Sequence, residues 1–272
     1  MRLSNASAAE RDLEFAVDAA RAAGERALRL RESGRWKDEK ILGDVGDQAS
    51  DGYLQGLIRG RYPDDGLLSE ETADSPLRLS RERVWIVDPL DGTKEYGQGR
   101  PDWAVHVALT QQGRCLLAAV ALPSERRVLW GYALAGREHA GLEGEGTLAR
   151  GDAPSPARLR MAVSRSHTPE WTTALADALG SAELVPWGSA GFKVSRLVLG
   201  EADVYVHSKG LKEWDTCAPE TVARALGWSV CRLSGEEHGY NRPDPKNHEL
   251  VICRPALRER VLAAIRGCGV LR

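Results

Sequence analysis

The chain has 272 residues, 42% of them apolar, enough for one large domain or two modest ones with a sizeable core. Lysine and arginine number 37 against 39 acidic residues, a formal net charge of −2. That balance excludes the broad basic surface of a protein that binds a nucleic-acid polymer, although a few local residues can still hold a small anion.

In chain order, Ser7-Ala8-Ala9-Glu10 is a capping box that opens a long helix with Leu13, Val17, Ala20, Ala23, Ala27 and Leu30 on one face. A loop carrying Gly43 and Gly46 follows, then a short helix over residues 51–61 with Leu54, Leu57 and Ile58 inward. Residues 84–87 are a continuous apolar strand ending at Asp88. Val105, Val107 and Leu109 alternate with Ala104, His106 and Ala108, and residues 115–121 and 128–134 complete an antiparallel meander. Residues 136–156, rich in Gly, Glu and Pro, have the composition of a connection between domains. Gly144-x-Gly146-x-x-Ala149 within it matches a dinucleotide fingerprint, but Arg150-Gly151-Asp152-Ala153-Pro154 prevents the helix that must follow.

The second half alternates strand and helix: strand 159–163, helices 169–179 and 190–199, strand 202–207 and helix 216–226. Strands near 230–233 and 250–253 and a helix over 255–266 complete it. The pattern predicts an α/β (α+β) layered sandwich. An N-terminal α+β domain, residues 1–155, would carry the antiparallel sheet, and a C-terminal α/β domain would occupy residues 156–272. The five cysteines are dispersed without a C-x-x-C pair, which fits small core residues in a reducing compartment. Residues 1–14 lack an apolar leader core and no stretch is long enough to span a bilayer. The expectation is a cytoplasmic protein with no membrane partner.

The chemistry is concentrated in Trp85-Ile86-Val87-Asp88-Pro89-Leu90-Asp91-Gly92-Thr93. Pro89 stops the strand ladder and Gly92 permits a tight bend, which crowds two carboxylates and a hydroxyl around one point. Carboxylates that close repel unless a cation or shared proton relieves them, and oxygen-only ligands suit magnesium. Two more acidic sites accompany it: Leu67-Leu68-Ser69-Glu70-Glu71 and Trp214-Asp215-Thr216. Taken singly, each has a plain alternative. Asp91-Gly92 is a common turn pair, Asp215 a helix N-cap and Glu70-Glu71 a solvated edge.

Together these three motifs resemble, in order and spacing, the metal motifs of the inositol-monophosphatase superfamily, over roughly residues 40–255. The resemblance implies the layered αβαβα sandwich of the inositol-monophosphatase and fructose-bisphosphatase type. It implies Mg²⁺, two or three ions, on Glu70, Asp88, Asp91, Asp215 and the Leu90 carbonyl. It further implies that Glu70 and Thr93 orient and activate the attacking water, that Asp51 supports Thr93, and that lithium inhibits. Gly92 and Thr93 would offer backbone N–H groups to the phosphate. Phosphate-monoester hydrolysis is among the slowest uncatalysed reactions, with accelerations up to about 10²¹-fold, and metal ions supply the charge neutralisation it needs.

Within the superfamily, Asp88 to Tyr96 (DPLDGTKEY) and Trp214 to Glu220 (WDTCAPE) are similar to the CysQ-type 3′(2′),5′-bisphosphate nucleotidases of sulfur assimilation. Val163-Ser164-Arg165-Ser166-His167 resembles that branch's nucleotide-contacting segment, and Gly188-Ser189 with Lys193 its Gly-Ser…Lys element. Asp215 would also touch the substrate. Lys209 and Lys212 are further basic candidates, and any of these lysines could equally be a solvated charge.

The implied reaction turns adenosine 3′,5′-bisphosphate into AMP and phosphate, with a homodimer possible. Inositol monophosphatase, fructose-1,6-bisphosphatase and a non-catalytic phosphate-binding relative remain as alternatives. A haloacid-dehalogenase mechanism needs aspartates two residues apart, whereas Asp88 and Asp91 are three apart, and no G-x-x-x-x-G-K-[ST] run supports a kinase. The six histidines lack metal-ligand spacing such as H-E-x-x-H; His167 alone is placed for function, by the resemblance.

Overall fold

Ser7 caps the first helix as the pattern predicts: its hydroxyl accepts from the Glu10 N–H, and the Glu10 carboxylate accepts from the Ser7 N–H. The structure, a computed structural model, describes residues 7–134 and 137–270. Residues 1–6 of the segment expected to lack an apolar leader core, and Gly136 at the head of the expected connection, lie outside them.

After α1 (Ala8–Glu32) the chain departs from expectation. A single helix, α2 (Glu39–Arg61), runs through Gly43 and Gly46, where the glycines predicted a loop. Packing overrides their poor helix propensity. A Cβ on Gly43 would stand 2.9 Å from Thr93 Cγ2, and one on Gly46 2.6 Å from the Tyr96 ring. Both glycines therefore let α2 press against the short helix α3 (Thr93–Gly97).

Six strands pair in chain order: β1 (Gly66–Ser69), β2 (Arg83–Asp91), β3 (Ala104–Gln111), β4 (Arg114–Leu122), β5 (Arg127–Leu134) and β6 (Arg137–Glu143). β1 joins β2 in parallel and the others pair antiparallel, the expected meander. β6 takes up part of the stretch expected to be a connection. Its Gly141 pairs with Trp130 and leaves room for the indole, since a Cβ there would lie 2.1 Å from Trp130 Cζ2.

A second sheet holds β7 (Arg160–Ser164), β8 (Glu183–Trp187), β9 (Val204–Lys212), β10 (Ser229–Cys231) and β11 (Lys246–Cys253), in the order β10-β11-β9-β7-β8. β8 was not anticipated: it is an edge strand containing Pro186, a position where a strand tolerates proline and shows little pattern. The remaining helices are α4 (Trp171–Ala178), α5 (Ala190–Val198), α6 (Glu213–Ala225) and α7 (Arg258–Gly267).

Alternation along the strands sorts side chains into layers. Trp85, Val87, Val105 and Val107 pack on Ala16, Ala20 and Ala23 of α1 and Leu54 of α2. Val84, Ile86 and Ala108 face Val194 and Leu197 of α5 and Ala218 and Val222 of α6, which meet Tyr205 and Ile252 of the second sheet. Met161, Val206 and Val251 on the far side pack on Leu175 of α4 and Val261 and Ile265 of α7. The result is an αβαβα sandwich. Burial of each Val, Leu, Ile or Met side chain among them contributes roughly 1.5–3 kcal/mol. No described helix is long and apolar enough to cross a membrane. The cysteines are unpaired, with Cys217, Cys231 and Cys253 buried and Cys115 and Cys268 half-buried.

Candidate active site

The site forms where β2 carries one extra residue. Asp88 faces His106 across the β2–β3 ladder, but the next pair is Asp91 with Ala104, so Pro89-Leu90 bulge. Residues three apart in a regular strand point to opposite faces; the extra residue restores parity and turns both aspartates toward α5 and α6. The ladder therefore bulges at Pro89 and resumes, where the sequence predicted that it stops. The bulge is pinned by Ser50 Oγ, which donates to the Pro89 carbonyl at 2.7 Å, and by the Leu90 N–H, which donates to Asp88 Oδ1 at 3.0 Å.

Gly92 follows at φ +96°, a left-handed conformation that suits glycine, and turns the chain into α3. This brings the Thr93 hydroxyl between two acceptors, Asp47 Oδ2 at 3.0 Å and the Leu90 carbonyl at 3.1 Å. Asp51, expected beside Thr93, is occupied elsewhere: it accepts from Ser69 Oγ at 2.6 Å, Thr72 Oγ1 at 2.9 Å and Gln55 Nε2 at 2.5 Å. It braces the β1 end that leads to Glu70. The correction follows from the helix register, because Asp47 sits one turn earlier on α2 beside the close α3 contact.

The start of α5 closes on Asp91. Its Oδ2 accepts from Ser189 Oγ at 2.5 Å and the Gly191 N–H at 2.6 Å, and its Oδ1 from the Ala190 N–H at 3.1 Å. Ser189 holds φ +40° and ψ 136°, a strained backbone for a residue with a side chain, as often found at functional sites. Asp215 lies in the first turn of α6, not at its cap: Lys212 is the N-cap residue, and its N–H donates to Asp215 Oδ2 at 2.6 Å. Glu70 stands on the rim just after β1.

The acids strain against one another. Burial, then the charges of Glu70, Asp91 and Asp215, push the Asp88 carboxyl well above its ordinary range. The protein packed around Glu70, with Asp91 and Glu71, pushes it up to about 7 although it still reaches solvent. Burial and Asp91 push Asp215 up to about 7, and burial with Glu71 and Glu70 pushes Asp47 up to about 8. Burial acts on Asp91 too, but the His106 imidazole, Ser189 and the Gly191 N–H outweigh it and hold Asp91 at about 2. Two buried carboxylate oxygens, Asp88 Oδ2 and Asp47 Oδ1, have no hydrogen-bond partner. Asp88, Asp91 and His106 bring ligand atoms within 4.8 Å of one another. Unpartnered buried oxygens in a field of like charge fit a hard divalent cation, so these acids could hold one.

The basic residues expected to meet substrate are mostly engaged. Lys193 is buried, its Nζ donating to the Gly188 and Ser189 carbonyls at 2.9 and 2.7 Å, so it braces the turn that grips Asp91. Arg165 pairs with Asp102 and donates to the Pro186 carbonyl at 3.1 Å; Asp102 in turn accepts from the Gly188 N–H at 2.5 Å. Both side chains are thus held by carboxylate and carbonyl acceptors of the protein. Ser164 and exposed His167 line a cavity of about 40 Å³ with Trp171, Tyr205, His207 and Lys209. Lys212 Nζ lies 5.4 Å from the centre of the Trp214 ring.

Two residues escaped the sequence pattern. Asp47 was hidden in the supposed loop, although its i, i+4 spacing to Asp51 fits one helix face. His106 lacks metal-ligand spacing, yet it interrupts the apolar run Val105-His106-Val107 on the strand that pairs with Asp88.

The sequence model of the inositol monophosphatase family matches residues 8–269. A 3′-phosphoadenosine 5′-phosphate phosphatase of Mycobacterium leprae is 38% identical over 267 residues, covering 94% of this chain and 93% of that protein. Its Mycobacterium tuberculosis counterpart is 36% identical over 251 residues, 89% of each. Among solved structures, CysQ from Bacteroides thetaiotaomicron, a bacterial member of the inositol monophosphatase family, superposes with a TM-score of 0.76 at 28% identity, covering 90% of this chain and 97% of that one. The chain belongs to the inositol monophosphatase family.

Proposed function

We propose that this chain is a magnesium-dependent phosphomonoesterase that removes the 3′-phosphate of adenosine 3′,5′-bisphosphate, giving AMP and inorganic phosphate. The observation that carries the metal chemistry is Asp88 Oδ2, buried without a partner among the charges of Glu70, Asp91 and Asp215. The choice of nucleotide follows the relatives, which are named for that substrate over nearly their whole length.

Two or three Mg²⁺ ions held by Glu70, Asp88, Asp91, Asp215 and the Leu90 carbonyl would acidify the attacking water and offset charge on the phosphoryl and leaving oxygens. The Thr93 hydroxyl has one proton. Directed to Asp47, it leaves an oxygen lone pair to accept from the attacking water and hold it in line. Glu70 takes the proton that water gives up as its oxygen bonds phosphorus, while the ester P–O bond breaks and the ribose oxygen leaves to take a proton from solvent water. Gly92 and Thr93 direct backbone N–H groups to the phosphate, and Asp215 faces the ribose side. Ser164 and His167 meet the distal 5′-phosphate, while Arg165, Lys193 and Ser189 hold the Gly188 turn in place behind them.

The test is kcat/KM on adenosine 3′,5′-bisphosphate, inositol 1-phosphate and fructose 1,6-bisphosphate, with Mg²⁺ and in excess chelator. Preference for the nucleotide with Mg²⁺-dependent phosphate release supports the proposal. Preference for inositol 1-phosphate removes the nucleotidase assignment, and turnover in chelator removes the metal mechanism.

A further inference from the structure

We propose that His106 is a positioning residue that locks the acid-bearing segments of the site together and so sets its Mg²⁺ affinity; this rests on the metal-site proposal above. His106 is wholly buried on β3, in register with Asp88. Its Nδ1 lies 3.0 Å from the Trp214 carbonyl, the residue before Asp215. A carbonyl only accepts, so Nδ1 carries the hydrogen and ties the start of α6 to β3. The same nitrogen is 3.9 Å from Asp88 Oδ2, and Nε2 stands 3.3 Å from Asp91 Oδ2, within ion-pair range but off a hydrogen-bond line.

α5 closes on the other side of the ring. A Cβ on Gly191 would lie 1.9 Å from His106 Nε2, so only glycine lets the helix start sit there and still donate to Asp91. One imidazole thus touches β2, α5 and α6, the segments that carry or grip Asp88, Asp91 and Asp215. Its neighbours on the same strand face, Ala104 and Ala108, are small and apolar. A polar ring buried among them is unfavourable unless its contacts are used. It is not placed to be a ligand: Nδ1 is engaged as a donor, and Nε2 is covered by Gly191 and faces a carboxylate. The role left is to fix the spacing of the oxygens around it, as groups outside a metal's ligand set commonly do.

Three substitutions separate the contacts. In His106→Asn the amide nitrogen falls where Nδ1 does and can keep the Trp214 bond; in His106→Gln it reaches toward Asp91; His106→Ala keeps neither. Mg²⁺ affinity is read by titration calorimetry on chelator-stripped protein, alongside the thermal midpoint and steady-state kinetics. His106→Ala should weaken Mg²⁺ binding about 10- to 100-fold, the range for residues that hold metal ligands. At saturating Mg²⁺ its KM should stay unchanged. Asn and Gln should fall between Ala and wild type. If Ala fails to fold, Asn and Gln decide the matter. Wild-type Mg²⁺ affinity in the variants, whatever their thermal midpoint, overturns the inference and leaves an ordinary core histidine. Wild-type protein that takes up no Mg²⁺ overturns the metal-site proposal and this inference with it.

Discussion

Thr93 Oγ1 lies 3.0 Å from Asp47 Oδ2, and that contact divides the labour of two aspartates one turn apart on α2. Asp47→Asn keeps the shape but gives the hydroxyl a weaker acceptor that can present N–H instead. Turnover should fall about 10²-fold or more, comparable to the loss of one transition-state donor. Asp51→Asn should act on stability, because three side-chain donors converge on that carboxylate. The expected loss is about 1–3 kcal/mol in urea unfolding. The reverse pattern, with Asp51→Asn inactive and Asp47→Asn fully active, would return the supporting role to Asp51.

Asp91 is a tight junction of the site, gripped by three donors from the Ser189 turn and α5. An amide in its place offers N–H toward at least one N–H. Asp91→Asn should therefore lower kcat about 10²-fold or more and also lower the thermal midpoint. Thr93→Ala should cause a similar loss of kcat with the midpoint nearly unchanged, since Thr93 is only half-buried and its hydroxyl is the group proposed to hold the attacking water. Calorimetry and steady-state assays on the same preparations separate the two outcomes.

Much of this was legible in the sequence because local rules and tertiary demands agreed. Ser7 and Glu10 announce a helix start, and Val105, Val107 and Leu109 announce a strand. The DPLDGT run combines a ladder-breaking proline with a left-handed glycine. Legibility failed where packing reversed local preference. Gly43 and Gly46 look like a loop because their function is absence: they make room for Thr93 and Tyr96 across the α2–α3 contact. Misplacing that helix also hid Asp47. Arg165 and Lys193 look like phosphate binders by type, and only the fold shows that Asp102 and the Gly188 and Ser189 carbonyls hold them.

Removing metal should give the folded state a pH dependence of known sign. Burial and neighbouring charge raise Asp47 to about 8, and Glu70 and Asp215 to about 7, whereas unfolded carboxyls titrate near 4. Across that window the folded protein binds more protons than the unfolded chain, so stability falls as pH rises. Asp91, held at about 2, works in the opposite sense: its contribution is present above its unfolded value and fades only in acid below it. The thermal midpoint in chelator should therefore drop between about pH 5.5 and pH 8, and Mg²⁺ should flatten the slope. A chelated protein as stable at the higher pH as at the lower contradicts the crowding of these acids.

Arg165 and His167, two residues apart on the segment after β7, should differ in kind when replaced. Arg165 pairs with Asp102, which also accepts from the Gly188 N–H, so it anchors the turn whose next residue, Ser189, bonds Asp91. Its effect reaches the reacting centre whatever the substrate carries elsewhere. Arg165→Ala should thus reduce kcat on adenosine 3′,5′-bisphosphate and on inositol 1-phosphate by similar factors. His167 is exposed beside the cavity lined by Ser164 and Tyr205 and touches none of the turn residues by hydrogen bond. On the proposed function it would contribute binding energy from a remote substrate group, which appears where that group is present. His167→Ala should lower kcat/KM for the bisphosphate nucleotide and spare inositol 1-phosphate. Equal effects of His167→Ala on both substrates would place the distal phosphate elsewhere, and a nucleotide-selective effect of Arg165→Ala would mean that its guanidinium leaves Asp102 to meet the substrate.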